Sequence, residues 1–161
     1  MFSIIACIGK NHEIGKKGKL IFSIKDDMKF FRETTTGHTV IMGYNTWRSL
    51  PGKLKNRTNL VISYDEVKDA DQTIKDLDKY IQKNLNTNEE IFVIGGGMIY
   101  RTFLPYADAL YLTEVDSSDT EADTFFPDFD KSHYNKTIIR KGSENGLDYS
   151  IVKYNKIRST K

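Results

Sequence analysis

The chemistry of this chain centres on one carboxylate. The segment SIKDDMKFFRETT predicts a helix over residues 23–35, and at 100° per residue Ile24, Met28, Phe30 and Phe31 share an apolar arc. Asp27 projects between Phe30 and Phe31, inside that arc, whereas Asp26 lies at its edge beside Glu33. Asp26 has an ordinary use: Ser23 can cap the helix with Asp26 as its capping-box partner, at the positive end of the dipole. Asp27 shares the dipole argument, but a carboxylate facing apolar neighbours has its charged form disfavoured. It is therefore either an acid or hydrogen-bonding anchor for a ligand, or a residue serving only the dipole. A second cue is the unbroken run Gly95, Gly96 and Gly97 between a strand-like and a helix-like segment. Without Cβ atoms the backbone can approach a ligand, and free amides opening a helix suit a phosphate. The run has neither the P-loop nor the Rossmann spacing, so a tight turn without a ligand fits it equally. The third cue is basic: Lys53, Lys55 and Arg57 share a loop, either simply solvated or with Arg57 forking to a carboxylate.

These groups need elements to hold them. Apolar, β-branched runs predict strands at 2–8, 38–42, 58–63, 91–94 and 109–115. Helices are expected at 44–50, at 73–85 with Ile74, Leu77, Ile81 and Leu85 on one face, and from Met98 until Pro105 stops it. Strands alternating with helices imply an α/β domain with a mainly parallel sheet and a ligand cleft at the carboxyl ends of its strands. Residues 9–19 read as a long mobile loop, in which Ile14 is either a lid contact or an ordinary anchor. Residues 138–141 and 149–154, joined by a loop at 142–148, read as an antiparallel edge.

Composition narrows the function classes. At 161 residues, one domain over 1–161 is expected. A net charge of +2 carries no nucleic-acid or membrane footprint, although nine Tyr could stack on bases. Cys7 is the only cysteine, which excludes an internal disulfide, and in an apolar strand it reads as inert. His12, His38 and His133 lack metal-ligand spacing, so no metal is expected. Residues 1–8 are too short to span a membrane and lack a basic flank, so the Asn56 and Asn135 sequons read as chance and the cytoplasm is the expected compartment.

The pieces coincide with one family. SIIACIG, the Ile14–Gly15 pair, DDMKFF with Asp27, TVIMG, Trp47, Leu54 with Arg57, NLVIS, VIGGGMIY, YLTEVD and DTFFP follow one another over essentially the whole chain. In that order and spacing the chain resembles dihydrofolate reductase. The resemblance implies an eight-stranded, mainly parallel sheet flanked by helices, and reduction of 7,8-dihydrofolate by NADPH with hydride transfer to pterin C6 and protonation of N5. By matching position, Asp27 would hold the pterin and support the protonation, with Thr113 bracing it and Leu20 and Phe22 of the lid beside the reacting atoms. Ile5, Met28, Phe31, Leu50 and Leu54 would line the slot for the pterin and aminobenzoyl rings, and Arg57 would take the glutamate α-carboxylate. Cys7, Ile94 and Tyr100 would sit near the nicotinamide, under a lid carrying Ile14 and Gly15. Gly43, Tyr44, Asn45, Thr46, Ile62, Ser63 and Tyr64, with Gly95, Gly96, Gly97, Met98 and Ile99, would border the rest of the cofactor. A cis peptide is expected between Gly95 and Gly96, and the protein is expected to be a monomer.

Three departures from the family pattern matter. Ile21 and Phe22 stand where Pro-Trp is usual, so an aromatic wall remains without an indole N–H donor. Tyr44 replaces a basic residue that pairs with the cofactor's 2′-phosphate, and Tyr64 follows Ser63, so weaker discrimination between NADPH and NADH is expected. Ala122 replaces a common glycine in the loop that packs on the lid. Alternative readings are a reductase of the same fold acting on another pterin- or pyrimidine-like substrate, and a nucleotide-binding module without catalysis.

Overall fold

The structure, a computed structural model, describes residues 1–158. In chain order its strands and helices are β1 (Phe2–Ile8), β2 (Glu13–Lys16), β3 (Lys19–Leu20), α1 (Lys25–Thr35), β4 (Thr39–Gly43), α2 (Tyr44–Ser49), β5 (Thr58–Ile62), β6 (Gln72–Ile74), α3 (Leu77–Asn84), β7 (Ile91–Val93), α4 (Gly97–Phe103), β8 (Ala107–Val115), β9 (Thr124–Phe125), β10 (Tyr134–Glu144) and β11 (Leu147–Lys156). Short 3₁₀ turns occupy Leu104–Tyr106 and Lys131–His133.

An eight-stranded sheet runs in the order β10-β11-β8-β1-β7-β4-β5-β6. From β8 to β6 each neighbouring pair is parallel, and β11 joins β8 antiparallel. β1 lies at the centre because it can be buried on both faces. Phe2, Ile4 and Ile8 enter one apolar cluster, beside Ile81 of α3 and Tyr100 and Phe103 of α4. Ile5 enters the other, with Phe30 of α1 and, packed against it, Trp47 of α2. The strand period of two thus divides the core between the sheet faces.

Several local expectations change. The helix expected from Ser23 begins at Lys25, and its N-cap, Ile24, makes no side-chain cap bond. Asp26 is instead drawn to the β10–β11 hairpin, where the Arg140 guanidinium donates to it at 2.6 and 3.1 Å and the Tyr149 hydroxyl at 2.9 Å. The exposed Lys25 amide is taken by the Glu144 carboxylate at 3.0 Å. Long-range charged partners thus displace the local capping box. Residues 72–74 form an edge strand rather than the first turn of a helix, and α3 starts three residues after it, capped by Asp76 accepting from the Lys79 amide at 3.1 Å. The hairpin strands are longer than expected because the turn is only Asn145–Gly146, with φ of 51° and 79°. These positive φ values favour asparagine and glycine in a two-residue hairpin turn.

Residues 9–19, expected as one long loop, contain β2 and the start of β3. β2 lies between β3 and β9 in a three-stranded sheet. At its base the Glu13 side chain is buried, and its carboxylate accepts from the amides of Asn11 at 2.7 Å and Asp119 at 2.6 Å.

Candidate active site

Asp27 enters from the first turn of α1, and Thr113 faces it from β8. The Thr113 hydroxyl, on a residue 2% exposed, donates to Asp27 Oδ1 at 2.6 Å. Cys7 is paired in register with Thr113, which brings β1 into the same corner. Burial raises the Asp27 carboxyl above its ordinary value; the Thr113 bond opposes this and the Asp26 charge adds to it. The result is a carboxyl with increased proton affinity, anchored at one oxygen. Cys7 is half-buried, and burial, then the Asp27 charge, pushes its thiol up, so it stays protonated. Burial likewise pushes the Tyr100 phenol up, and its hydroxyl donates to the Ile5 carbonyl at 2.8 Å.

The carboxyl ends of β4 and β7 meet at the glycine corner. The Gly43 amide donates to the Gly95 carbonyl at 2.9 Å, and the Gly95–Gly96 peptide is cis, as expected. Gly95 has φ 125°, and a Cβ there would come within 3.3 Å of the Tyr100 hydroxyl oxygen. Glycine is needed here for both conformation and space.

Two hollows adjoin this corner. The inner one, about 450 Å³, is lined by Cys7, Ile14, Gly15, Leu20, Asn45, Thr46, Leu50, Ile94, Gly95, Gly96 and Tyr100, together with Ala6, Gly18, Lys19, Ser49 and Thr124. The outer one, about 610 Å³, is lined by Gly43, Tyr44, Asn45, Thr46, Ile62, Ser63, Tyr64, Gly96, Gly97, Met98 and Ile99, with Ile74, Lys75, Leu77 and Thr124. Asn45, Thr46, Gly96 and Thr124 line both, which makes them neighbouring parts of one cleft.

The remaining expected residues lie outside these hollows. Ile5 and Phe22 are buried in one apolar cluster, against which Phe31 and Leu54 pack together with Leu50 and Ile94 of the inner hollow; Met28 is 58% exposed. Phe22 lies close over Gly9, where a Cβ would approach its ring to 2.9 Å. Arg57 donates through Nε to the Lys55 carbonyl at 2.9 Å and through Nη1 to the Thr35 hydroxyl at 3.1 Å, and its Cζ stands 5.9 Å from the Phe31 ring centroid. It has no carboxylate partner among the described residues, whereas Lys53 of the same loop pairs with Asp71.

A family profile described as Dihydrofolate reductase matches residues 1–156. The chain belongs to the dihydrofolate reductase family. It is 34% identical to dihydrofolate reductase of Bacillus subtilis (strain 168), an alignment covering 100% of this chain and 98% of the relative. It is 39% identical to that of Buchnera aphidicola subsp. Acyrthosiphon pisum, covering 86% of each, and 37% identical to that of Neisseria gonorrhoeae, covering 94% and 96%. Its backbone also matches a solved structure, dihydrofolate reductase from Enterococcus faecalis complexed with NADP(H) and RAB-propyl. The TM-score is 0.85 at 24% identity, covering 97% of this chain and 96% of that one. The eight-stranded, mainly parallel sheet with an antiparallel edge is therefore the dihydrofolate reductase fold.

The structure also shows what sequence reasoning missed. Asn59 is fully buried; its side-chain amide donates to the carbonyls of Leu54 and Arg57, and its Oδ1 accepts from the Leu54 amide at 3.0 Å. It staples the loop that presents Arg57, and only its place inside an apolar strand hinted at this. Thr124 was visible within DTFFP but carried no sign that it lines both hollows. Lys75 was hidden by the helix boundary, because residues 73–85 read as one amphipathic helix. Ala122 is not among the residues with positive φ, so the turn it occupies does not require the glycine common in the family.

Proposed function

We infer that the chain reduces 7,8-dihydrofolate to 5,6,7,8-tetrahydrofolate with NADPH. The observation that carries this is the Asp27–Thr113 pair beside the glycine corner, in a chain of the dihydrofolate reductase family. The cleft fits the cofactor: an inner hollow lined largely by apolar side chains suits a nicotinamide ring, and an outer one bordered by glycine backbone and the Thr46 and Ser63 hydroxyls suits a phosphate-bearing tail. NADPH, when bound, supplies the hydride that pterin C6 accepts.

The chain's own residues orient and protonate. Asp27 binds the pterin's amino group and ring nitrogen, and Thr113 holds one of its oxygens so that the other faces the ligand. The raised proton affinity of Asp27 supports protonation at N5. Phe22 and Leu20 exclude water from the ring stack, and Ile5, Met28, Phe31, Leu50 and Leu54 form the apolar slot. Arg57 receives the glutamate carboxylate. Gly43, Asn45, Thr46 and Gly96 to Ile99 receive the pyrophosphate.

The protein acts as a single-domain monomer on free small molecules in the cytoplasm. The net charge of +2 supports the small-molecule part of this reading, since it offers no basic footprint for nucleic acid. Purified protein mixed with dihydrofolate and NADPH is expected to consume reduced-nicotinamide absorbance, and Asp27→Asn to slow this by about 10²- to 10⁴-fold. A wild-type protein that binds NADPH but leaves dihydrofolate unchanged would refute the activity. Size-exclusion chromatography checks the monomer.

A further inference from the structure

Asp26 and Asp27 are neighbours in the first turn of α1, yet they face apart. Asp27 turns to Thr113 of β8, whereas Asp26 is gripped by the β10–β11 hairpin. Arg140 donates to both Asp26 oxygens, at 2.6 and 3.1 Å, and the Tyr149 hydroxyl donates at 2.9 Å. The same guanidinium stands 5.7 Å from the Phe30 ring centroid, and Glu144 of the hairpin holds the Lys25 amide at 3.0 Å. Lys25, Asp26 and Phe30 thus dock one side of α1 on the hairpin. The Asp26 carboxylate is fixed in place next to the residue that binds the pterin, and nothing in the mechanism above uses it.

We propose that Asp26 is a positioning residue for the reaction: clamped by Arg140 and Tyr149, it is held as a fixed negative charge beside Asp27 and so favours the protonation step. This rests on the activity inferred above. A like charge disfavours the ionised form of a neighbouring carboxyl, so after burial Asp26 is the group that helps Asp27 keep a proton. Arg140 sets the size of the effect, because it holds the Asp26 charge in place and partly cancels it. The side chains of Arg140 and Asp26 are 38% and 25% exposed, so solvent screens the pair and the effect is several-fold. The other groups around the two acids are fixed. Cys7 of β1 and Tyr100 of α4 face Asp27 and are kept neutral by burial. Lys29 faces Asp26 from the next turn and pairs with Glu33 at 3.9 Å; Glu33 also faces Arg140, and Glu144 faces Tyr149.

The pH profile of dihydrofolate turnover by the full chain tests this. Asp26→Asn keeps an acceptor oxygen for the clamp but no charge. It is expected to lower kcat/KM about three- to tenfold near about pH 9, where protonation limits, and to leave it within about twofold near about pH 5. Arg140→Gln removes the cancelling charge and is expected to raise kcat/KM about twofold near about pH 9. The high-pH limb thus moves in opposite directions in the two variants, which loss of structure alone would not produce. Tyr149→Phe removes a hydrogen bond without changing charge and should leave the limb in place. An unmoved limb in Asp26→Asn, a uniform loss at every pH, or movement of the same sign in Arg140→Gln would overturn the proposal. The Asp27 carboxyl carbon, titrated by NMR without ligands, reads the coupling without turnover: it should titrate at lower pH in Asp26→Asn and at higher pH in Arg140→Gln. A protein that shows these NMR shifts yet does not reduce dihydrofolate refutes the activity and leaves the coupling of the two acids standing. Turnover with an unmoved Asp27 titration refutes the coupling alone.

Discussion

Replacing Arg57 by leucine separates substrate anchoring from chemistry. Two of its contacts are internal, to the Lys55 carbonyl and the Thr35 hydroxyl, and the rest of its fork has no hydrogen-bond partner among the described residues. The fold tolerates the loss. The buried Thr35 hydroxyl still donates to the Phe31 carbonyl at 2.7 Å, and Asn59 holds the loop independently. Two hydrogen bonds, one exposed and one part-buried, and the contact with the Phe31 ring disappear, about 1 kcal/mol together, which lowers Tm by about 2–4 °C. Binding suffers more. A charge-assisted bond to a carboxylate contributes about 1.5–3 kcal/mol, which corresponds to roughly a 10- to 100-fold rise in KM for dihydrofolate. Because the contact is remote from the reacting atoms and equal in ground and transition states, kcat changes little. The assay is steady-state kinetics with dihydrofolate and with dihydropteroate, which lacks the glutamate. Arg57→Leu should raise KM for the first and leave the second within about twofold of wild type. An equal penalty on both substrates would refute the assignment of Arg57 to the glutamate carboxylate.

Three further outcomes are expected. Asp27→Asn should lower kcat/KM by about 10²- to 10⁴-fold without lowering Tm at pH 7. Because the folded carboxyl titrates above its unfolded value, its contribution to stability is greatest below the unfolded value and is lost as pH rises through the folded one, so the neutral amide removes a penalty; a Tm drop of several degrees would contradict this. Asp26 behaves oppositely: the Arg140 hydrogen bond, then that of Tyr149, holds its carboxyl low, so its stabilisation is present above the unfolded value and fades as pH falls through the folded one. Asp26→Asn should cost about 1 kcal/mol at pH 7, given the partial exposure of Arg140, and progressively less in acid, as read by denaturant unfolding at both pH values. Gly97→Ala places a Cβ 3.0 Å from Thr124 Cγ2 and 3.2 Å from the Phe125 carbonyl, so β9 must yield. NADPH binding should weaken several-fold with about 1 kcal/mol lost in stability, and unchanged affinity would show that β9 gives way freely.

The sheet was legible because its central strands are apolar on both faces, a pattern that local sequence declares without help. The glycine corner was legible as a place but not as a purpose, since a tight turn and a ligand cradle demand the same residues. What escaped the sequence was decided by distant partners. Ser23 and Asp26 have the spacing of a capping box, with the shorter Asp in place of Glu or Gln, yet Arg140 and Glu144 lie far along the chain and win. Residues 73–85 carry a helical period, but Ile74 is buried at a sheet edge beside Ile62, and Lys75 was lost with that boundary. Residues 9–19 read as a loop because their polar residues show no period, while the strand there is set by pairing with β9 and by the buried Glu13.

Thr124 lines both hollows, and its strand, β9, pairs with β2 at Gly15. Both hollows and β2 therefore share one part. Ligands that share such a part are not independent: whatever factor NADPH applies to the dissociation constant of dihydrofolate, dihydrofolate must apply to that of NADPH. Closing the thermodynamic box by titrating each ligand with and without the other gives the size of that coupling, and Gly97→Ala, which displaces the shared strand, should reduce it.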